Sequence, residues 1–195
     1  MLGHVVRRVQ RAESLDRVVV ATTTAPDDEA IVEAADRLEV TAFRGSEPDV
    51  LDRYYQAARV HSVSSIVRIT ADCPLIDPGV IDQTIEAFEE ERPDYASTSL
   101  KERVYPRGVG AEVFTFKTLK TAWEEAEKSY QRVHVTPYIY QHPERFDLLH
   151  VGSVSGNYSN HRWTVDTPED LEFARSLYSH LDSESASWRE VLGAL

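Results

Sequence analysis

The sequence predicts an α/β fold with a largely parallel sheet and helices on its faces, and three observations carry this reading. Short apolar runs of β type alternate with helical periodicities along the chain. Prolines repeatedly stand just inside or before the predicted helix starts, where the missing N–H costs nothing. Two strand-like runs end in an aspartate followed closely by proline, Ile69-Thr70-Ala71-Asp72-Cys73-Pro74 and Trp163-Thr164-Val165-Asp166-Thr167-Pro168.

Val18 to Ala21, Val40 to Phe43 and Ile66 to Ile69 are the first expected strands, followed by Tyr95 to Thr98, Glu112 to Phe116, Leu148 to Val151 and Arg162 to Val165. Asp77-Pro78 opens a helix reaching about Glu91, with Val80, Ile81, Ile85 and Phe88 at helical spacing. Thr167-Pro168 opens another, whose apolar stripe is Leu171, Phe173, Ala174 and Leu177. Pro26 and Pro48 mark two more, the second carrying Val50, Leu51, Tyr54 and Ala58. Lys101 to Gly110 reads as a long loop beside a site. The expected organisation is one domain over residues 1–181, then a polar connector and short helix over 182–195.

Composition excludes several function classes. A chain of 195 residues that is 42% hydrophobic can bury a substantial core. No apolar run approaches the roughly 20 residues that span a bilayer, so neither a membrane partner nor a signal segment is expected. Cys73 is the only cysteine, which rules out an internal disulfide and suits a reducing compartment, with the cytoplasm as the expected location. A net charge of −12 argues against a nucleic-acid partner, because phosphate backbones require clustered basic residues. The scarcity of lysine against so many acids suits a high-salt interior, but also an ordinary acidic protein.

In open α/β sheets, ligands bind in the crevice outside the carboxyl ends of the strands. Asp72 and Asp166, delivered there from separate strands, could converge on one hard cation, and Mg²⁺ prefers one or two carboxylates plus phosphate oxygens. Either aspartate alone could equally be a turn former or helix cap. Arg44, Arg53, Arg68, Arg103 and Arg107 lie in or beside predicted strand ends and loops, where guanidinium forks can grip phosphate or carboxylate. Arg68 interrupts an apolar strand, so it is either such a grip or half of an internal ion pair. His134 and His161 touch substrate or are structural; the histidines have no zinc spacing. Tyr130, Tyr138 and Tyr140 read as packing, with one ring free to face a sugar. There is no Gly-x-Ser-x-Gly elbow and no Walker loop.

Four strings, in order, resemble the spore-coat polysaccharide biosynthesis protein F group of cytidylyltransferases. They are Phe43-Arg44-Gly45-Ser46 with Asp49-Val50-Leu51-Asp52-Arg53-Tyr54-Tyr55; Arg68 to Asp77; His134-Val135-Thr136-Pro137-Tyr138-Ile139-Tyr140; and Arg162 to Glu172. The group belongs with the acylneuraminate and 3-deoxy-octulosonate cytidylyltransferases. The resemblance implies a nucleotide-diphospho-sugar transferase-like three-layer sandwich with a mostly parallel mixed sheet. It implies that a sugar hydroxyl attacks the α-phosphorus of CTP, giving a CMP-sugar for polysaccharide or other cell-surface glycan synthesis. Asp72 and Asp166 would hold Mg²⁺; Arg44, Arg53 and Arg68 would contact phosphate or substrate; Glu112 would lie on the sugar side. Dimers are common in the group, so a homodimer is expected.

The sequence also departs from that pattern. Met1 to Val5 matches the helix after the phosphate loop, so the first strand and that loop are expected to be missing and the chain truncated. Losing its electrostatic groups would cost about 10² or more in rate each, and impaired transfer is expected. Val133 and Gly110 stand where the resemblance implies acidic residues. A non-catalytic descendant that binds nucleotide or sugar as a regulatory subunit is the alternative. A glycosyltransferase is disfavoured because no Asp-x-Asp follows a strand.

Overall fold

The computed structural model describes residues 1–152, 156–181, 183 and 185–195. The chain opens with α1 (Leu2–Val9), β1 (Val19–Thr23), a 3₁₀ turn over Pro26–Asp28 and α2 (Glu29–Arg37). It continues with β2 (Thr41–Gly45), α3 (Val50–Val60), β3 (Ser65–Arg68) and α4 (Pro78–Glu91). Then come β4 (Tyr95–Ser97), β5 (Glu112–Thr115), α5 (Phe116–Glu125), α6 (Ser129–His134) and α7 (Pro137–Tyr140). The chain closes with β6 (Leu148–His150), α8 (Pro168–His180) and α9 (Trp188–Gly193).

Caps explain the main helix starts. Asp77 accepts the Val80 N–H and Pro78 occupies the first turn, so α4 begins where the Asp-Pro pair predicts. Thr167 and Asp170 close a reciprocal box at the start of α8. Asp49 caps α3 through the Asp52 amide, one residue beyond the expected proline mark.

β1 and β2 pair in parallel, while β3-β5-β4-β6 form a second sheet in which only β5 runs backwards. Among the described residues no backbone bond joins β1 to β3, and each presents an open edge. Helices hold the two sheets side by side: α1 packs on α2 and α4, and α3 packs on β1, β2 and α5.

Register divides the four-stranded sheet into two chemical faces. Val67, Val113, Ala96 and Leu149 meet Val5, Val9, Ile81, Ile85 and Phe88 from α1 and α4. On the other face Ile66, Phe114, Tyr95 and Leu148 pack with Leu51, Tyr55, Leu119 and Ile139 from α3, α5 and α7. One pairing further along, that second face turns polar: Arg68, Glu112, Ser97 and His150 stand in a row. The row lies at the carboxyl ends of β3, β4 and β6, which places the site.

Three readings change. Arg162 to Val165 forms no strand; Arg107 and Arg162 make an isolated parallel bridge, too short for a ladder. Phe173 leaves the expected apolar stripe and is exposed on α8, while Ala174 and Leu177 are buried. The closing helix α9 joins the main body: Trp188 and Val191 are buried with Leu75, Val80, Tyr105 and Trp163, and the Trp188 amide donates to Asp77 Oδ2 at 2.6 Å. The connector before it includes residues 182 and 184, which lie outside the described residues.

Candidate active site

A cavity of about 660 Å³ opens at the polar end of the sheet. Its lining includes Asp72, Asp166, Arg68, Arg103, Arg107, Glu112 and His134, all singled out from sequence. Arg44 and Arg53 are not among them. The Arg44 guanidinium is tied at the end of β2, donating to Glu29 Oε2 at 2.7 Å and to the carbonyls of Thr23 and Ala25. Arg53 lays its stem against Gly45, and its Nε is buried without a partner among the described residues.

The cavity floor is organised by one carboxylate. Glu112 accepts from Arg68 Nη1 at 2.5 Å, from the Tyr95 hydroxyl at 2.5 Å and from Thr136 Oγ1 at 2.9 Å. This is the internal ion pair that an arginine interrupting an apolar strand demands. Burial works against the Arg68 charge, but Glu112 together with the nearby Tyr54 and Tyr95 hydroxyls raises the Arg68 pKa. Burial, then Glu112, pushes the Tyr95 hydroxyl upward as well, so it serves as a neutral donor. Arg68 keeps its Nε buried and unbonded among the described residues.

Asp72 follows β3 through a turn closed by the Cys73 N–H on the Thr70 carbonyl. Its carboxylate meets only the Cys73 thiol, at 3.5 Å, and no cation among the described residues. Burial drives that thiol up to about 12, so Cys73 stays protonated and packs as an apolar residue. Asp166 arrives on the strandless segment, which the Val165 N–H pins to the Asp72 carbonyl at 2.8 Å. One Asp166 oxygen accepts from Arg162 and from Thr164 Oγ1; the other has no partner among the described residues. The remaining open acceptors on these two carboxylates are hard oxygen donors of the kind Mg²⁺ takes together with phosphate. Among the described residues no group of three or more His, Cys, Asp or Glu side chains could hold a metal by itself.

His134 is exposed at the rim, and Tyr140, 39% exposed, is the tyrosine of its group that lines the cavity. Tyr138 packs inward and donates to Glu125, while Tyr130 bonds Gln141 on the surface. Sequence reasoning missed Tyr95 and Thr136 as partners of Glu112. Strand alternation could have found Tyr95, which shares a face with Ser97 and hence with Glu112. Thr136 comes from another segment and had no such signal. Gly110 borders the cavity beside Thr98, whose Oγ1 a Cβ there would meet at 2.2 Å.

This geometry agrees with the relatives. The profile of the family described as cytidylyltransferase matches residues 1–188. An uncharacterized protein of Methanocaldococcus jannaschii is 39% identical over 196 residues, covering 100% of this chain and 79% of that one. The spore coat polysaccharide biosynthesis protein SpsF of Bacillus subtilis is 30% identical over 185 residues, covering 91% of this chain and 75% of that protein. Among solved structures, a cytidylyltransferase from Leptospira borgpetersenii superposes with a TM-score of 0.93 at 30% identity, over 98% of this chain and 81% of that one. Among the described residues no helix is long and apolar enough to cross a membrane. The chain therefore belongs to the cytidylyltransferase family of nucleotidyltransferases, with the mostly parallel mixed α/β fold that its sequence predicts.

Proposed function

We propose that this chain transfers CMP from CTP to a hydroxyl of a sugar or sugar acid destined for a cell-surface polysaccharide, with Asp72 and Asp166 holding Mg²⁺. One observation carries the reading: two aspartates far apart in sequence line one cavity, and the Val165 N–H to Asp72 carbonyl bond joins the backbone segments that carry them. Family membership supports nucleotidyl transfer, and the similarity to SpsF supports polysaccharide synthesis. The ion, when bound, supplies charge neutralisation between phosphate oxygens. Arg162, bonded to both Asp166 and Asp170, holds the Asp166 carboxylate in place and leaves its other oxygen open to a ligand. Arg68, held by Glu112, presents fixed positive charge to the phosphates, and such preorganised charge needs no rearrangement as the reaction proceeds. Tyr140 and His134, at the rim, are the groups placed to meet the sugar. A CTP donor suits a cytoplasmic location.

The test combines calorimetry with a product assay. CTP is titrated with and without Mg²⁺ into the full chain and into Asp72→Asn, and pyrophosphate release is followed over a panel of sugars. Mg²⁺-dependent CTP binding that Asp72→Asn removes is the expected result. Binding that ignores both the metal and the substitution would sink the metal assignment. Metal-dependent binding with no transfer to any sugar would instead favour a non-catalytic nucleotide-binding subunit.

A further inference from the structure

Three arginines line the cavity, Arg68, Arg103 and Arg107; Arg68 and several arginines outside the cavity have a counter-charge supplied by the protein. Arg68 has Glu112, Arg162 has Asp166 and Asp170, Arg44 has Glu29, and Arg132 has Asp49. Two cavity-lining arginines differ. Among the described residues, the guanidinium groups of Arg103 and Arg107 have neither a hydrogen-bond nor an ion-pair partner. Arg103 is half-buried, and burial together with the nearby Arg107 charge lowers its pKa. Arg107 is exposed, and two like charges lining one cavity, without a counter-ion among the described residues, favour an anion between them.

The loop that carries them is anchored. The Arg107 N–H donates to the His161 carbonyl at 2.9 Å, and the Trp163 N–H donates back to the Arg107 carbonyl at 2.8 Å. Tyr105 is buried against Trp188, and its hydroxyl reaches Gln83 Oε1 at 3.0 Å. Gly108, at φ +101°, lets the backbone press on Thr164 where any Cβ would crowd it. The same contacts tie Arg107 to the segment that leads into Asp166. Asp72, Asp166 and these arginines thus line one cavity, and one backbone network ties Arg107 to both aspartate segments.

We propose that Arg103 and Arg107 form a two-guanidinium clamp for a single oxyanion group, a phosphate or carboxylate, on a small molecule bound in the cavity. Two planar forks can grip one such group with parallel N–H···O bonds, which lysine cannot reproduce. The proposal deepens the nucleotidyl-transfer reading and rests on it for the two sources of that group: the phosphates of CTP, or an acid group of the acceptor.

The full chain is titrated by calorimetry with inorganic pyrophosphate without metal, with CTP plus Mg²⁺, and with 3-deoxy-octulosonate. The titrations are repeated on Arg103→Ala, Arg107→Ala, the double variant and Arg107→Lys, each checked for unchanged melting temperature. Each alanine is expected to weaken at least one ligand about 10- to 100-fold, the loss of a charge-assisted hydrogen bond, with Arg107→Lys in between. Weakened CTP or pyrophosphate assigns the clamp to the nucleotide; weakened sugar acid with unchanged CTP assigns it to the acceptor. Equal affinity of the double variant for all three overturns the clamp, and so does a native chain that binds none of them. If CTP and Mg²⁺ fail to bind while metal-free pyrophosphate binds and is lost in the double variant, the clamp stands and the nucleotidyl-transfer reading falls.

Discussion

Removing the Glu112 carboxylate tests the organisation of the cavity floor most directly. Arg68 and Glu112 are 17% and 16% exposed, so the pair is mostly but not wholly withdrawn from water. Breaking a buried pair from one side costs about 3–5 kcal/mol, because it strands the remaining charge. The residual exposure points to the lower end of that range, but Glu112→Ala also orphans the Tyr95 and Thr136 hydroxyls, at about 1 kcal/mol each. The expected loss is therefore about 3–5 kcal/mol, measured by urea denaturation. Tyr95→Phe, which removes one donor and strands no charge, should cost only about 1 kcal/mol. Replacing both charges, as in Arg68→Met with Glu112→Leu, should recover part of the loss and reveal a coupling of about 2 kcal/mol. A Glu112→Ala loss below about 1 kcal/mol, or a coupling below about 0.5 kcal/mol, would refute the view that these residues act as one unit.

Other consequences can be measured alongside. Asp77 caps α4 and also binds the Trp188 amide, so Asp77→Ala should cost about 2–4 kcal/mol in the same assay, and Asp77→Asn less. Gly110→Ala should destabilise by about 1–3 kcal/mol because its Cβ would meet Thr98 Oγ1 at 2.2 Å; adding Thr98→Ala should restore most of it, and failure to do so would locate the conflict elsewhere. Asp28, through the Thr22 hydroxyl, and Asp170, through Arg162, are held at about 2 against an ordinary 3.8. Their folded values lie below their unfolded ones, so both support the fold above about pH 4 and cease to as pH falls towards 2. Asp28→Asn should accordingly flatten the decline of melting temperature across that window; an unchanged slope would remove Asp28 from the explanation.

How much of this was legible in the sequence can be judged residue by residue. The cap at Asp77-Pro78, the strand at Tyr95 and the helix at Thr167-Pro168 each depend on neighbours a few positions away, and the structure places all three where the sequence predicts. Asp72 and Asp166 could be nominated because each follows a strand-like run before a proline, although the second run is no strand at all. The Arg162 segment reads as β because Trp163 and Val165 alternate with polar residues, yet among the described residues only Arg107 offers it a bridging partner. Arg44 looked as available as Arg107 in sequence. Its capture by Glu29 and two carbonyls depends on where the turn after β1 folds back, which local pattern does not contain.

The sequence by itself determined the fold class, the family and most of the strands, and nominated the two aspartates, because local periodicity, proline geometry and ordered strings are properties of neighbours along the chain. Tertiary structure alone decided that Glu112 unites Arg68, Tyr95 and Thr136, and that Arg103 and Arg107 have no counter-charge among the described residues. Hydrogen bonds and ion pairs form at about 3 Å between groups that folding brings together, so which charges are matched depends on packing and not on sequence distance.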